Sequence, residues 1–461
     1  MWFNGSMRQR LQTPLSFIIV AVLVGVLAAC GPATPLPLPA PTAGAATATA
    51  VSTPAPRVSP TATPAASPAP QADALDATLD ALEAQVRAVQ GIAAAPQISR
   101  QRLHLDALAA RVAARLPCPL PNTLAWQALD LWPAGAGGMT AATFEGDAPQ
   151  LAFFDPDDTT IYYAAPDGLT AALQLAYVHA YAQALQFNGH ALPSEEESGE
   201  RCLARQALRE GAAAYTDYLW FFAYGALTAP TPAPYDPAAT PQPRPPLAVL
   251  KYRDFPVDAG FGFVYALSQE NGWASIRRAF EAPPVSTEQV LHPERYPHDQ
   301  PQAVALPAPE TLAAALGAGW EAKGQGVLGE ALLHLMLTAS LHEEARLMAG
   351  DAADAAEGWG GGAWTVLHNP ETGEIALLAE VRWDTGSDAV AFVKAFVRYA
   401  RGRFGPLDDR AYRVLFWESD TEAAVLRYNS GARRTVWAFA PTRAQAEALL
   451  AAAQAPGAGG D

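Results

Sequence analysis

Residues 31–71 set the first limit on this chain, because they are built almost entirely from Pro, Ala, Thr, Ser and Val, and Arg57 is their only charge. Such a segment cannot bury enough apolar surface to offset its conformational entropy, and its prolines stiffen it into an extended spacer. A packed fold is therefore expected only beyond about residue 72. The rest of the 461-residue chain is long enough for more than one core, and half of all residues are hydrophobic. The formal net charge of −16 argues against a nucleic-acid partner, since phosphate binding calls for clustered Lys and Arg.

What precedes the spacer has a different character. Met7-Arg8-Gln9-Arg10 forms a short basic region, and an apolar run follows from Leu15 to Ala29. That run is too short and wrongly flanked for a spanning helix. It ends in Leu27-Ala28-Ala29-Cys30-Gly31, which resembles the bacterial lipobox. The resemblance implies a lipoprotein signal peptide over residues 1–29, Cys30 as the lipidated first residue of the mature chain, and a tether over 30–71. It places the folded part outside the cytoplasmic membrane, anchored through lipid to a membrane or envelope surface. The remaining cysteines, Cys118 and Cys202, would then lie where a disulfide can persist. They are open to one bridge or to two separate buried thiols.

Helical periodicity begins at Asp73. Leu75, Leu79, Leu82, Val86 and Val89 form one stripe, and a second helical run is expected over Ser99 to Leu116, giving a helical hairpin. Short β-type runs at Leu151–Phe154 and Thr160–Tyr163 flank the turn signal Asp155-Pro156-Asp157-Asp158. An Ala/Leu-rich helix carrying His179 follows. Further helices are expected over about Arg201–Tyr224 and 255–281, separated by a Pro-rich loop. The tail changes rhythm. Hairpins around Asn369–Gly373 and Asn429–Gly431 alternate with helices at Ser387–Arg403 and Thr442–Ala453. This predicts a ββαββα unit with helices on one face of an antiparallel sheet. The fold class expected is α+β and mainly helical, with a helical domain over 72–355 and the α+β unit over 356–455.

The chemistry centres on His179-Ala180-Tyr181-Ala182-Gln183. In the zinc-protease motif HExxH the two histidines hold the metal and the glutamate polarises water. Here only the first histidine is present. The neighbouring segments are Phe154-Asp155-Pro156 with Thr160-Ile161-Tyr162, Ala184-Leu185-Gln186, Ala207-Leu208-Arg209-Glu210-Gly211-Ala212, the 283–296 segment Pro-Pro-Val-Ser-Thr-Glu-Gln-Val-Leu-His-Pro-Glu-Arg-Tyr, and Gly358-Trp359-Gly360-Gly361. In this order they resemble a family of bacterial extracytoplasmic HExxH zinc metallopeptidases of gluzincin type, over roughly residues 75–440. The resemblance makes His179 the first metal ligand and Glu210 the third. Gln183 then stands at the second ligand and Ala180 at the general base. His190, eleven positions after His179, and Glu288 and His292 of the 283–296 segment are candidates for the cleft border.

These departures imply a degenerate member without a catalytic residue. A neutral amide is a poor zinc ligand beside imidazole, and general-base catalysis is commonly worth about 10²–10⁴ in rate. No cofactor is expected, and zinc would be held only weakly. The function implied is a membrane-anchored lipoprotein with an inactive metallopeptidase-like domain that binds peptide or protein or acts as a scaffold. Two alternatives stand beside it: an active zinc peptidase with atypical ligands, including a site from His179, Glu210 and His292, and an envelope solute-binding lipoprotein. His342-Glu343-Glu344-Ala345-Arg346 shows His-Glu but carries Arg where a second His is needed, and reads as a solvated helix face. Gly358 to Gly362 reads as a turn rather than a phosphate cradle. No nucleotide-binding glycine loop or G-x-S-x-G elbow is present.

Overall fold

The computed structural model describes residues 70–94, 97–114, 118–144, 149–187, 199–225 and 245–454. The expected leader, Cys30, most of the expected tether and His190 lie outside these. The chain divides into two units, 1–79 and 80–461. Of the first, only the opening of helix α1 (Pro70–Gln90) is described. Among the described residues no helix is long and apolar enough to cross a membrane.

The class is α+β, with two sheets. The smaller sheet has three strands, β1 (Ser99–Arg102), β2 (Ala152–Asp155) and β3 (Thr160–Tyr163), in the order β1-β3-β2. The expected hairpin is β2–β3. Its turn is closed by Asp155, whose carboxylate accepts from the Asp157 amide at 3.1 Å and pairs with Arg111 at 3.0 Å. The second arm of the expected helical hairpin is not a single helix. Ser99–Arg102 runs parallel to β3, and a short helix α2 (Leu105–Ala113) follows. Backbone pairing with an exposed edge of β3 outweighs the helical preference of this polar stretch.

The helical layer beside this sheet consists of α4 (Ala171–Phe187), α5 (Gly199–Tyr224) and α6 (Leu247–Asn271), with the short α3 (Thr123–Ala128) preceding them. Gly272 separates α6 from α7 (Trp273–Glu281), so the expected 255–281 helix is two helices that begin earlier. Helix α4 is apolar all round and buried on most sides. The later part of α1 packs on it through polar contacts. Glu83 accepts from Tyr177 Oη at 2.7 Å, and Arg87 donates to Tyr181 Oη at 2.8 Å. Helices α5 and α6 meet backbone to backbone at Gly211 and Gly260. A Cβ on Gly211 would lie 2.1 Å from the Gly260 carbonyl carbon, and one on Gly260 would lie 2.0 Å from the Ala207 oxygen. Cys118 and Cys202 are joined by a disulfide, which ties the segment before α3 to the first turn of α5.

Short helices α8 (Thr287–Leu291) and α9 (Pro309–Leu316) lead to the larger sheet. Its seven strands are β4 (Glu321–Val327), β5 (Trp359–Asn369), β6 (Glu374–Trp383), β7 (Asp409–Ala411), β8 (Val414–Glu418), β9 (Ala423–Asn429) and β10 (Arg434–Ala440). They lie in the order β4-β5-β6-β10-β9-β8-β7, with every neighbour antiparallel. Helices α10 (Glu330–Ala339), α11 (Ala349–Ala356), α12 (Gly386–Phe404) and α13 (Arg443–Ala452) complete this part.

Three expectations are corrected here. Helices cover both faces of the sheet. Trp359, Trp383, Phe392, Phe396 and Trp437 share one core, while Leu367, Leu378, Val436 and Leu449 share another with α9 and α13. The central strands are buried at consecutive positions rather than alternately, as two-sided coverage requires. The sheet also recruits β4 from residues 321–327, and the first core takes in Trp126 of α3 and Met336 of α10. A boundary at 355/356 would cut through it. Finally, only Gly358 of the 358–362 stretch lies in a turn, at φ 81°, since β5 begins at Trp359. The glycines admit close neighbours: a Cβ on Gly361 would lie 2.3 Å from the Gln302 oxygen, and one on Gly362 would lie 2.4 Å from the Leu328 oxygen.

Candidate functional site

Helix α4 places His179 and Gln183 one turn apart, and α5 places Glu210 and Asp217 two turns apart on one of its faces. The two helices bring these four side chains together. His179 Nε2 lies 3.1 Å from Glu210 Oε2 and 3.2 Å from Gln183 Nε2. Gln183 Nε2 donates to Glu210 Oε2 at 2.9 Å. On the far side of the ring, His179 Nδ1 lies 2.6 Å from Asp217 Oδ2. The three residues at the expected ligand positions thus converge, and Asp217 orients the imidazole from behind. Asp217 is absent from the candidates named by sequence. The signal that points to it is its spacing of seven from Glu210, which returns to the same helix face.

The electrostatics of the cluster centre on His179. Burial lowers its pKa, but the charge and hydrogen bond of Asp217, and then those of Glu210, outweigh it and push the value up to about 10. Glu210 is pulled the other way. Burial raises it, yet His179, Arg209 and Gln183 together hold it below the ordinary carboxylate range. Burial raises Asp217, with the nearby Glu210 charge adding to that, against the pull of His179. A protonated imidazole donating to a carboxylate on each side accounts for both contacts. Asp217 Oδ1 is the exception, buried with no hydrogen-bond partner among the described residues.

A metal would have to take the Nε2 of His179, a Glu210 oxygen and the Gln183 amide. The donor set does not fit a catalytic zinc. It offers one imidazole and one carboxylate, and the Gln183 amide turns its N–H toward the centre rather than a lone pair. Ala180, at the base position, is buried and has no proton acceptor. What the arrangement does supply is a charged clamp between α4 and α5, with Arg209 3.7 Å from the outer Glu210 oxygen.

The other expected cleft residues form separate networks. Glu288 is buried and pairs with Arg295 at 2.7 Å, and Arg295 also reaches Asp299 at 3.1 Å and Asp384 at 2.5 Å. The carboxylates of Glu288, Asp299 and Asp384 lie within 4.8 Å of one another, the spacing of a metal cluster. The Arg295 guanidinium already serves as their shared cation. His292 Nε2 lies 2.8 Å from Glu330 Oε1. None of these residues shares a hydrogen-bond partner with His179, and their own bonds tie the 283–296 segment to the first turn of α10 and to the turn after β6. His342, Glu343 and Glu344 are exposed, as expected, but not on an α-helix face. His342 precedes a 3₁₀ turn, Glu343–Ala345, and its Nδ1 lies 2.9 Å from the buried Asp130 carboxylate, which Ser340 also contacts.

A family described as "Domain of unknown function (DUF8575)" matches residues 315–450. That stretch holds the seven-stranded sheet and lies outside the His179 cluster. No curated protein and no solved structure matches the chain.

Proposed function

We propose that this chain is a surface lipoprotein, lipidated at Cys30 and held off the membrane by its tether, whose helical part is a metallopeptidase-like scaffold used for binding rather than cleavage. One observation carries this reading. His179, Gln183 and Glu210 converge, with Asp217 behind the histidine. Orientation of a ligand histidine by a carboxylate on its other nitrogen is the usual support of a metal site. Here the same geometry surrounds a histidine whose partners at the second-ligand and base positions are an amide and a methyl group. The imidazolium takes the role a bound cation would have, balancing Glu210 and Asp217 and fixing the two helices.

The test is metal content and turnover of the purified full-length protein. Substoichiometric zinc and no cleavage of denatured-protein substrates are expected. Stoichiometric zinc, together with peptide cleavage lost in His179→Ala, would overturn the reading in favour of an active peptidase. Ala180→Glu combined with Gln183→His should create measurable zinc affinity, because it restores the second imidazole one turn from the first. A folded double variant that binds no zinc would show that the cluster is no remnant of a metal site.

A further inference from the structure

The larger sheet ends in β4, whose pairing register with β5 determines which of its backbone groups are free. Leu328 N donates to Gly362 O at 3.0 Å, and Gly326 stands opposite Trp364 and Gly324 opposite Val366. In an antiparallel ladder the bonded positions alternate. The amides and carbonyls of Gln325 and Val327 therefore point away from β5. They have no hydrogen-bond partner among the described residues. One step earlier, the corresponding carbonyl of Lys323 is met by the Asn122 side chain at 3.1 Å. The open edge is thus limited to Gln325 and Val327.

This edge borders a cavity of about 280 Å³ that is unrelated to the His179 cluster. Trp126, Tyr252 and Trp364 contribute aromatic walls, Pro119 to Asn122 form one rim, and Glu200 lies among the lining residues. Glycine keeps the space open. A side chain at Gly326 would strike the Trp364 indole, 2.7 Å away, and one at Gly329 would lie 1.8 Å from Glu200 Oε2. Glu200 Oε1 accepts from the Thr287 amide at 2.6 Å and its hydroxyl at 2.8 Å, while Oε2 has no partner among the described residues. Burial, helped by the charge of Glu330, holds the Glu200 carboxyl up at about 7 despite those two bonds. Among the described residues this oxygen has no compensating cation.

We propose that this edge and cavity form a peptide-docking site: an extended segment of another protein adds as a strand beside Gln325 and Val327 and inserts a lysine or arginine side chain between the aromatic walls toward Glu200. Main-chain bonds along the edge supply binding without regard to sequence, and the cavity reads one side chain. The walls favour a cation through their ring faces, and Glu200 supplies the charge complement. The site goes beyond the reading of the His179 cluster and stands or falls separately from it.

The test uses the full-length chain and two capped peptides, Thr-Val-Lys-Val-Thr and the same peptide with norleucine in place of lysine, followed by tryptophan fluorescence. The lysine peptide should bind with submillimolar affinity and about tenfold more tightly than the norleucine peptide. Glu200→Gln should abolish that preference. Val327→Pro, which removes one outward N–H at a sheet edge where proline is tolerated, should weaken both peptides. No binding to the wild type, or equal binding of the two peptides, would overturn the proposal. So would affinities unmoved by both variants in chains whose circular dichroism is unchanged. A wild-type chain that sediments as a dimer while Val327→Pro sediments as a monomer would make a second copy the occupant. An Arg57→Ala chain that binds the lysine peptide more tightly than wild type would place the chain's own 31–71 segment there. Either result also overturns an external partner.

Discussion

The disulfide between Cys118 and Cys202 gives a quantitative prediction. It closes a loop with a sequence separation of 84 residues and joins residues whose Cα atoms are 5.7 Å apart. Loop-closure entropy for that length is about 15 cal/mol/K, which destabilises the unfolded chain by about 4.5 kcal/mol at 25 °C. The sulfur of Cys202 is fully buried, so its loss adds a packing cost of roughly 1 kcal/mol. The perturbation is a double-mutant cycle of Cys118→Ala and Cys202→Ala, with urea unfolding of each chain followed by tryptophan fluorescence. Either single substitution should cost most of the cross-link, about 4 kcal/mol, and the second should add no more than about 1 kcal/mol. The coupling energy is therefore expected to be near the full loop term. Single effects that simply add, or a total loss below about 1 kcal/mol, would refute the reasoning. The native chain should also show two fewer titratable thiols than the reduced chain.

Arg403 is buried, pairs with Glu422 at 2.5 Å and donates to the Ala128 carbonyl at 2.9 Å, so Arg403→Ala should destabilise by about 3–5 kcal/mol in urea titration. Gly211→Ala forces α5 off α6 and should cost about 1–3 kcal/mol, read as a lowered unfolding midpoint; an unchanged midpoint would contradict the backbone contact. Glu200 is raised in the folded state from 4.5 to about 7, so the folded chain binds the extra proton between those values. The Glu200 contribution to stability, read as wild type minus Glu200→Gln, should therefore fall as pH rises from about 4.5 to 7, by at most roughly 3 kcal/mol, and be flat above that.

Legibility in the sequence follows the strength of local signals. The hairpin at 152–163, the helix carrying His179 and the tail elements from Glu374 onward carry apolar periodicity bounded by turn residues. The last two long helices follow Thr385 and Thr442, each closing a capping box with Asp388 or Gln445. Strands β1 and β4 leave no such mark. Ser-Arg-Gln-Arg and Glu-Ala-Lys-Gly-Gln-Gly-Val are polar or glycine-rich, and only a partner strand from distant sequence makes them extended. The two-sided coverage of the larger sheet is invisible in the tail alone, because α9 lies outside it in sequence. At the His179 cluster, residues on adjacent turns are legible and the orienting carboxylate is not. Sequence pattern groups Glu288 and His292 with that cluster, whereas their bonds run to Arg295 of the same segment and to Glu330 at the start of α10.

The contact of Gly211 with Gly260 has a further consequence for tolerance. With two backbones touching, α5 has no slack to roll about its axis or slide past α6. Glu210 immediately precedes the contact, and Asp217 lies two turns beyond it. The two carboxylates therefore inherit their angular positions from the absence of two methyl groups. A methyl at either glycine would displace the helix by more than the few tenths of an ångström that separate a sound hydrogen bond from a broken one. The precision with which His179 is gripped is thus set about 100° round the helix from the face that meets the histidine, by residues without side chains.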